Sequence, residues 1–321
     1  MSARAPARVL TVGETMALLD PLEQGQIELG SRFELRIAGA ESNFAVALAR
    51  LGVDVAWVSR LGEDRLGRLV LDALDGEGLD LGHVVRDPKR PTGLFIKWRA
   101  EGKTNVVYYR AGAAATALEP SDVPDVALDG VWLVHLTGIT MALGEAARRL
   151  VLDLARRAHE RGIVVIFDPN YRPALWGSPA HAGAVQRAVL PYADWYLCGL
   201  EEGNALWGTD GAEALLEAHR RAGVRGSVVR LGERGALVST AEGAREVTPP
   251  RREEVLDEVG AGDGFAAGFA FGLLRGWPAE ACTRAAHVIA AAALRGTGDW
   301  ETFPRLDEVR ADLEEAVRAP R

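Results

Sequence analysis

Asp257–Glu258–Val259–Gly260–Ala261–Gly262–Asp263–Gly264–Phe265 runs into an apolar stretch that continues to Leu274. It reads as a glycine-rich turn opening a buried helix. Two glycines and an alanine at a helix start leave backbone N–H groups bare. Those donors and the helix dipole make an anion site. A carboxylate in a plain phosphate cradle would repel its ligand, so Asp263 makes sense as a base beside a reacting phosphoryl group. An alcohol would lose its proton to Asp263 while the N–H groups of Gly260, Ala261 and Gly262 hold the developing charge. The same residues also fit a helix cap with no chemistry, and alone they do not decide.

Upstream, strand and helix patterns alternate. Val9–Val12 is a strand closed by Gly13, Glu28 to Ile37 alternates weakly as a half-exposed strand, and Glu41 to Leu51 is an amphipathic helix stopped by Gly52. Val53 to Val58 and Arg65 to Leu74 continue as strand and helix. Leu94–Trp98 and Asn105–Arg110 form a hairpin across Ala100–Glu101–Gly102–Lys103. Strands then follow at Val131–Leu136, Ile163–Phe167, Trp195–Leu197 and Ser227–Leu231, with helices at Leu143–Arg161 and Ala212–Ala222. The expectation is an α/β fold: a mostly parallel central sheet with helices on both faces. The inserts near 15–37 and 92–110 supply a small β-sheet lid, and residues 1–321 make one domain. Such sheets bind ligands at the carboxyl ends of their strands, where the motifs fall.

Composition narrows the function. The 321 residues are 48% hydrophobic and 26% charged, with a net charge of -8. No basic stripe suits nucleic acid; Arg148–Arg149 with Arg156–Arg157 reads as a solvated helix face. Only Lys89, Lys97 and Lys103 are lysines. Cys198 and Cys282 have no metal spacing and read as reduced core residues, consistent with the cytoplasm. The histidines have no zinc pattern. Met1 to Arg8 lack the apolar run of a signal peptide, and no stretch of about 18 apolar residues could span a membrane. There is no GxGxxG after the first strand and no Gly-Lys-Ser/Thr, so neither a dinucleotide oxidoreductase nor a P-loop kinase is expected.

GAGDGFAAGF resembles the carboxyl-terminal signature of the ribokinase-like sugar kinases, the phosphofructokinase-B family. Ala38 to Gly52 followed by Ser59 to Gly67 resembles their amino-terminal signature. Two ordered signatures are far more specific than one, and the likeness runs from about Val9 to Gly298. Gly13–Met16, Val107–Ala114, Leu136–Thr140 and Phe167–Trp176 are most similar to 2-keto-3-deoxygluconate kinases.

The resemblance implies ATP and Mg²⁺ as cofactors and Asp263 as base. It implies Gly39, Asn43, Tyr108, Arg110, Arg172 and Asp299 at the acceptor, although a loop cap explains Asp299 equally well. Asn170, Arg230, Gly232 and Gly235 would face the nucleotide and Glu202 the metal. Arg110 and Arg172 also make chemical sense, because a guanidinium fork matches a substrate carboxylate. Departures are Glu258 and Val259 where the family has hydroxyl residues, which leaves a monovalent cation open, and Gly199 where it has Asn before Glu202. A neutral ketose such as fructose, or a non-catalytic sugar-binding role, stands as the alternative. The lid inserts lack apolar faces enough to stand alone, so a homodimer or higher homo-oligomer is expected.

Overall fold

The computed structural model describes residues 8–101, 103–249, 259–296 and 298–318. Residues 1–7, Gly102 of the hairpin turn, and Asp257 and Glu258 lie outside them. The strands are β1 (Arg8–Val12), β2 (Met16–Pro21), β3 (Phe33–Ala38), β4 (Val55–Val58), β5 (Arg60–Gly62), β6 (Val85–Asp87), β7 (Leu94–Ala100), β8 (Lys103–Tyr109), β9 (Val131–Thr137), β10 (Val164–Asp168), β11 (Trp195–Gly199), β12 (Gly226–Arg230), β13 (Ala236–Thr240) and β14 (Gly243–Val247). The helices are α1 (Ala40–Arg50), α2 (Arg65–Gly76), α3 (Gly138–Ala142), α4 (Glu145–Glu160), α5 (Pro173–Trp176), α6 (Pro179–Gln186), α7 (Leu200–Trp207), α8 (Ala212–Arg221), α9 (Ala261–Leu274), α10 (Ala279–Ala293) and α11 (Leu306–Arg318).

Eight strands make the central sheet, in the order β14-β13-β12-β11-β10-β9-β1-β4. Neighbours from β4 through β12 are parallel, and β13 and β14 add antiparallel. Successive strand residues point to opposite faces, and both faces are covered. Val9, Leu133, Ile166, Leu197 and Val228 pack under α1, α9, α10 and α11. Leu10, Val134, Phe167, Cys198 and Val229 pack under α4, α7 and α8. The apolar helix α9 is buried on nearly every side, with Phe265 and Phe269 sealed against the sheet and Trp195 edge-on to Phe269 at 4.8 Å. Burying each ring contributes about 1.5–3 kcal/mol, which anchors the turn at the start of α9.

A second sheet, ordered β3-β2-β7-β8, gathers the two inserts as expected. Its inner face carries Met16, Phe95, Lys97 and Tyr108 toward the central sheet's carboxyl edge. Its outer face carries one row across all four strands: Leu35, Leu19, Ile96 and Val107 are register partners in turn.

Local differences from the sequence reading have local causes. The strand expected from Glu28 begins only at Phe33, because the preceding residues are solvated and find no partner strand among the described residues. Met16–Pro21 is a strand because β3 and β7 pair with it on both sides. The helix expected from Leu143 starts at Glu145, after Gly144 at φ 159° breaks it from α3. Cys198 and Cys282 are free and buried. Arg149, Arg156 and Arg157 pair with acids on their own helix. No helix among the described residues is long and apolar enough to cross a membrane.

Candidate active site

Asp263 lies in the first turn of α9, nine-tenths buried. The turn needs glycine at 260 for two reasons. Its φ is +79°, in the left-handed region, and a Cβ there would sit 2.0 Å from the carbonyl oxygen of Asp299. Asn43 Nδ2 donates to Asp263 Oδ2 at 2.8 Å, and Asn170 Nδ2 reaches Oδ1 at 3.4 Å. Asn43 is presented by the start of α1, where Gly39 gives the chain room: a Cβ on Gly39 would lie 2.2 Å from the Glu14 carbonyl. Asn170 is held in an unusual positive-φ conformation by its own N–H, which donates to Asp168 Oδ1 at 2.8 Å.

Burial pushes the Asp263 carboxyl up to about 7, with Asp168 and Asp299 adding to it; the Asn43 hydrogen bond and the Arg172 charge oppose. A carboxylate near neutrality can both exist as a base and hold a proton well.

These side chains border one cleft of about 1070 Å³ at the carboxyl ends of β10, β11 and β12, roofed by the lid. Gly39, Tyr108, Arg110, Arg172, Arg230, Gly232 and Asp299 all line it. Gly235 does not line it. Its Cα packs on the β14 backbone, where a Cβ would meet the Val247 carbonyl at 2.1 Å. It lies in the β12–β13 connection. Ala261 contributes backbone to the turn.

The cationic groups divide sharply. Arg110 leaves the lid after β8 and forms a buried ion pair with Glu14, at the lid's entry from β1. Its Nε and Nη1 have no partner among the described residues, and its guanidinium lies 5.4 Å over the Tyr108 ring. Arg172 is exposed and makes no salt bridge among the described residues. Arg230 sits between two carboxylates, 3.1 Å from Asp168 Oδ2 and 3.7 Å from Glu202 Oε2. Glu202 is already spoken for: its two oxygens accept the N–H groups of Tyr171 and Gly199. Burial, then Asp168, raise its pKa. Among the described residues no three potential metal-ligating side chains cluster.

Four residues that the sequence reading gave no role belong here. Glu14 and Asp168 hold the two arginines. Glu41, pushed up to about 7 by burial, accepts hydrogen bonds from Thr137 and Thr140 behind the cleft. Lys97 meets Asp299 at 2.9 Å. For Lys97 a signal existed, since lysine is so rare in this chain.

The family model for pfkB family carbohydrate kinases matches residues 6–305. A 2-dehydro-3-deoxygluconokinase of Bacillus subtilis is 33% identical over 95% of this chain and 94% of its own length. A 2-dehydro-3-deoxygalactonokinase of Haloferax volcanii is 36% identical over 91% of each. A crystal structure of a PfkB protein from Polaromonas sp. JS666 superposes with a TM-score of 0.83 at 35% identity, covering 95% of this chain and 99% of that one.

Proposed function

The chain belongs to the pfkB family of carbohydrate kinases, and we propose that it moves the γ-phosphoryl group of ATP to a hydroxyl of a 2-keto-3-deoxy sugar acid, most naturally 2-keto-3-deoxygluconate to its 6-phosphate. One observation carries this reading: Asp263 on its amide-bearing turn shares a cleft with the exposed Arg172 and the lid arginine Arg110. A neutral ketose does not require those arginines, whereas a carboxylate matches a guanidinium fork. Relatives are named for both the gluconate and the galactonate acids, so the proposal commits to the acid and leaves its epimer to assay.

Asp263 takes the hydroxyl proton, and Asn43 and Asn170 aim its oxygens. The amides of Gly260 to Gly262 face the transferred phosphoryl group. Arg230 and Gly232 border the nucleotide side, with Arg230 oriented by Asp168 and Glu202. Bound Mg²⁺ would neutralise the phosphates. Glu202 is the carboxylate that would face such an ion, beside phosphate oxygens and water. Two buried free cysteines accord with a reducing cytoplasm. Assembly through the lid's outer face into a homodimer is part of the same proposal.

The test is a panel of acceptors with ATP and Mg²⁺: 2-keto-3-deoxygluconate, 2-keto-3-deoxygalactonate, fructose and ribose. The acids should be preferred, and Asp263→Asn should lower kcat by at least ~10²-fold with the KM for ATP nearly unchanged. Preference for fructose would end the sugar-acid reading, and a near-normal kcat would remove Asp263 as base.

A further inference from the structure

Lys97 is one of three lysines among 37 basic residues. Lys89 and Lys103 are exposed, whereas Lys97 is buried in the middle of β7, facing the cleft. Its Nζ lies 2.9 Å from Asp299 Oδ1, across 202 residues of sequence. Lysine suits this position because a slim stem with a compact charge crosses from strand to loop where a planar fork would need more room.

The loop carrying Asp299 is a strut with contacts at both ends. Toward the lid it has the Lys97 pair and a second tie, Trp300 Nε1 donating to the Ile37 carbonyl of β3 at 3.1 Å. Toward the catalytic turn it has two close packings. The Asp299 carbonyl fills the space of a Cβ on Gly260, and the Phe303 ring lies 2.7 Å from where a Cβ of Gly264 would stand. Asp263 sits between those glycines. The strut is stiffened along its length. Glu301 Oε2 accepts the N–H groups of Asp299 and Trp300, and Arg50 Nη1 donates to the carbonyls of Trp300, Glu301 and Phe303.

We propose that Lys97 is a positioning residue for phosphoryl transfer: through Asp299 it transmits the lid's seating over the sugar to the turn that bears Asp263. Lid position and base position are then one degree of freedom, and the base is aligned only when the lid is down on an acceptor. The inference rests on Asp263 being the base. Lys97 has a second effect by charge. Asp263 faces Asn43 from α1, Asp168, Asn170 and Arg172 from β10 and the chain after it, Asp299 from the strut and Arg230 from β12. His287 of α10 instead meets the Phe265 ring on the far side. Lys97 offsets Asp299, one of the negative charges in that set.

Lys97→Met keeps the stem and removes the charge. The expected result is a sugar KM raised at least tenfold and kcat lowered by up to ~10²-fold, as a misplaced reacting group produces. The KM for ATP should stay within about threefold, since none of the strut contacts named above involves Arg230 or Gly232. The acid limb of the kcat/KM profile should move to higher pH, and adding Asp299→Asn should move it back. Lys97→Arg, which restores the charge, should recover part of kcat. Should Lys97→Met melt too low to assay, Trp300→Phe severs the other tie and should give the same split between sugar and ATP. Wild-type kinetics with an unmoved acid limb would overturn the proposal, as would a parallel rise of both KM values. A near-normal kcat in Asp263→Asn instead strikes the base reading, a result that Lys97 variants do not produce.

Discussion

Asp263 makes a pH prediction whose sign follows from its environment. Burial raises its pKa to about 7, so the folded protein favours the protonated form. Its contribution to stability is full below the ordinary carboxylate range and is lost as pH rises through about 7. As the proposed base, Asp263 would act in the form that folding disfavours. The kcat/KM for the acceptor should therefore climb about tenfold per pH unit below pH 7 and level off above it. A limb near the ordinary carboxylate range would show that another group titrates. The two acceptor-side arginines should part company. Arg172 is exposed and free of salt bridges among the described residues, so Arg172→Leu should leave the melting temperature alone. It should cost the sugar acid roughly 1.5–3 kcal/mol of binding, or one to two decades in KM. Arg110→Leu instead strands Glu14, whose pKa burial already raises against the Arg110 charge. It should lower stability by roughly 3–5 kcal/mol, confounding any reading of its substrate role. Fructose kinetics on Arg172→Leu check the first point: an equal loss on both sugars would deny Arg172 a carboxylate contact.

At the level of elements, the lid is a sheet with one functional face and one unexplained face. Four strands bury Phe95 and Leu18 inward, while Leu35, Val107 and Tyr109 are exposed outward at 47%, 41% and 60%. A flat apolar row on an exposed sheet invites pairing with another such row. Because Leu35, Leu19, Ile96 and Val107 are register partners, a single charge at the row's end should disrupt it. Val107→Asp should turn a dimer into a monomer in sedimentation at micromolar concentration. A fully active wild-type monomer there would exclude the lid interface. The loop from Asp299 to Phe303 is the other element of consequence. It has little regular structure, yet it touches β3, β7, α1 and α9.

Across the whole molecule, Arg50 connects parts that lie far apart in the chain. From the end of α1 it reaches Glu77 just past α2 with two hydrogen bonds, three carbonyls of the Asp299 loop, and the Trp300 ring at 5.1 Å. Arg50→Ala should cost roughly 1.5–3 kcal/mol in denaturant titration, as loss of charge-assisted hydrogen bonds at a half-buried pair does. Arg50 holds Glu77 below the usual carboxylate range. That share of stability is present above the ordinary carboxylate pKa and fades as pH falls through the lowered one. The gap between variant and wild type should therefore narrow at acid pH. A constant gap would assign the loss to the carbonyl contacts alone.

The alternation of strand and helix, the glycine turn before Asp263 and the hairpin of β7 and β8 were legible from local pattern. Each depends on backbone preferences and side-chain periodicity within a few residues. Asp263, Asn43, Arg110 and Arg172 could be singled out from their residue types and neighbours, and the structure gathers them at one cleft. Which charge meets which was not legible. Glu14 lies 96 residues from Arg110, and Asn170 lies 93 from Asp263. Strand order and register bring them together, and no local propensity encodes those. The same holds for Glu202, whose oxygens are taken by the amides of Tyr171 and Gly199. Sequence thus determined the kind of reaction, through residue types gathered at strand ends. Tertiary structure alone decided that Arg110 is paired with Glu14 while Arg172 makes no salt bridge among the described residues, and that Lys97 reaches Asp299. Ion pairs between distant segments depend on distances of a few ångströms, which exist only once the sheet has closed under its lid.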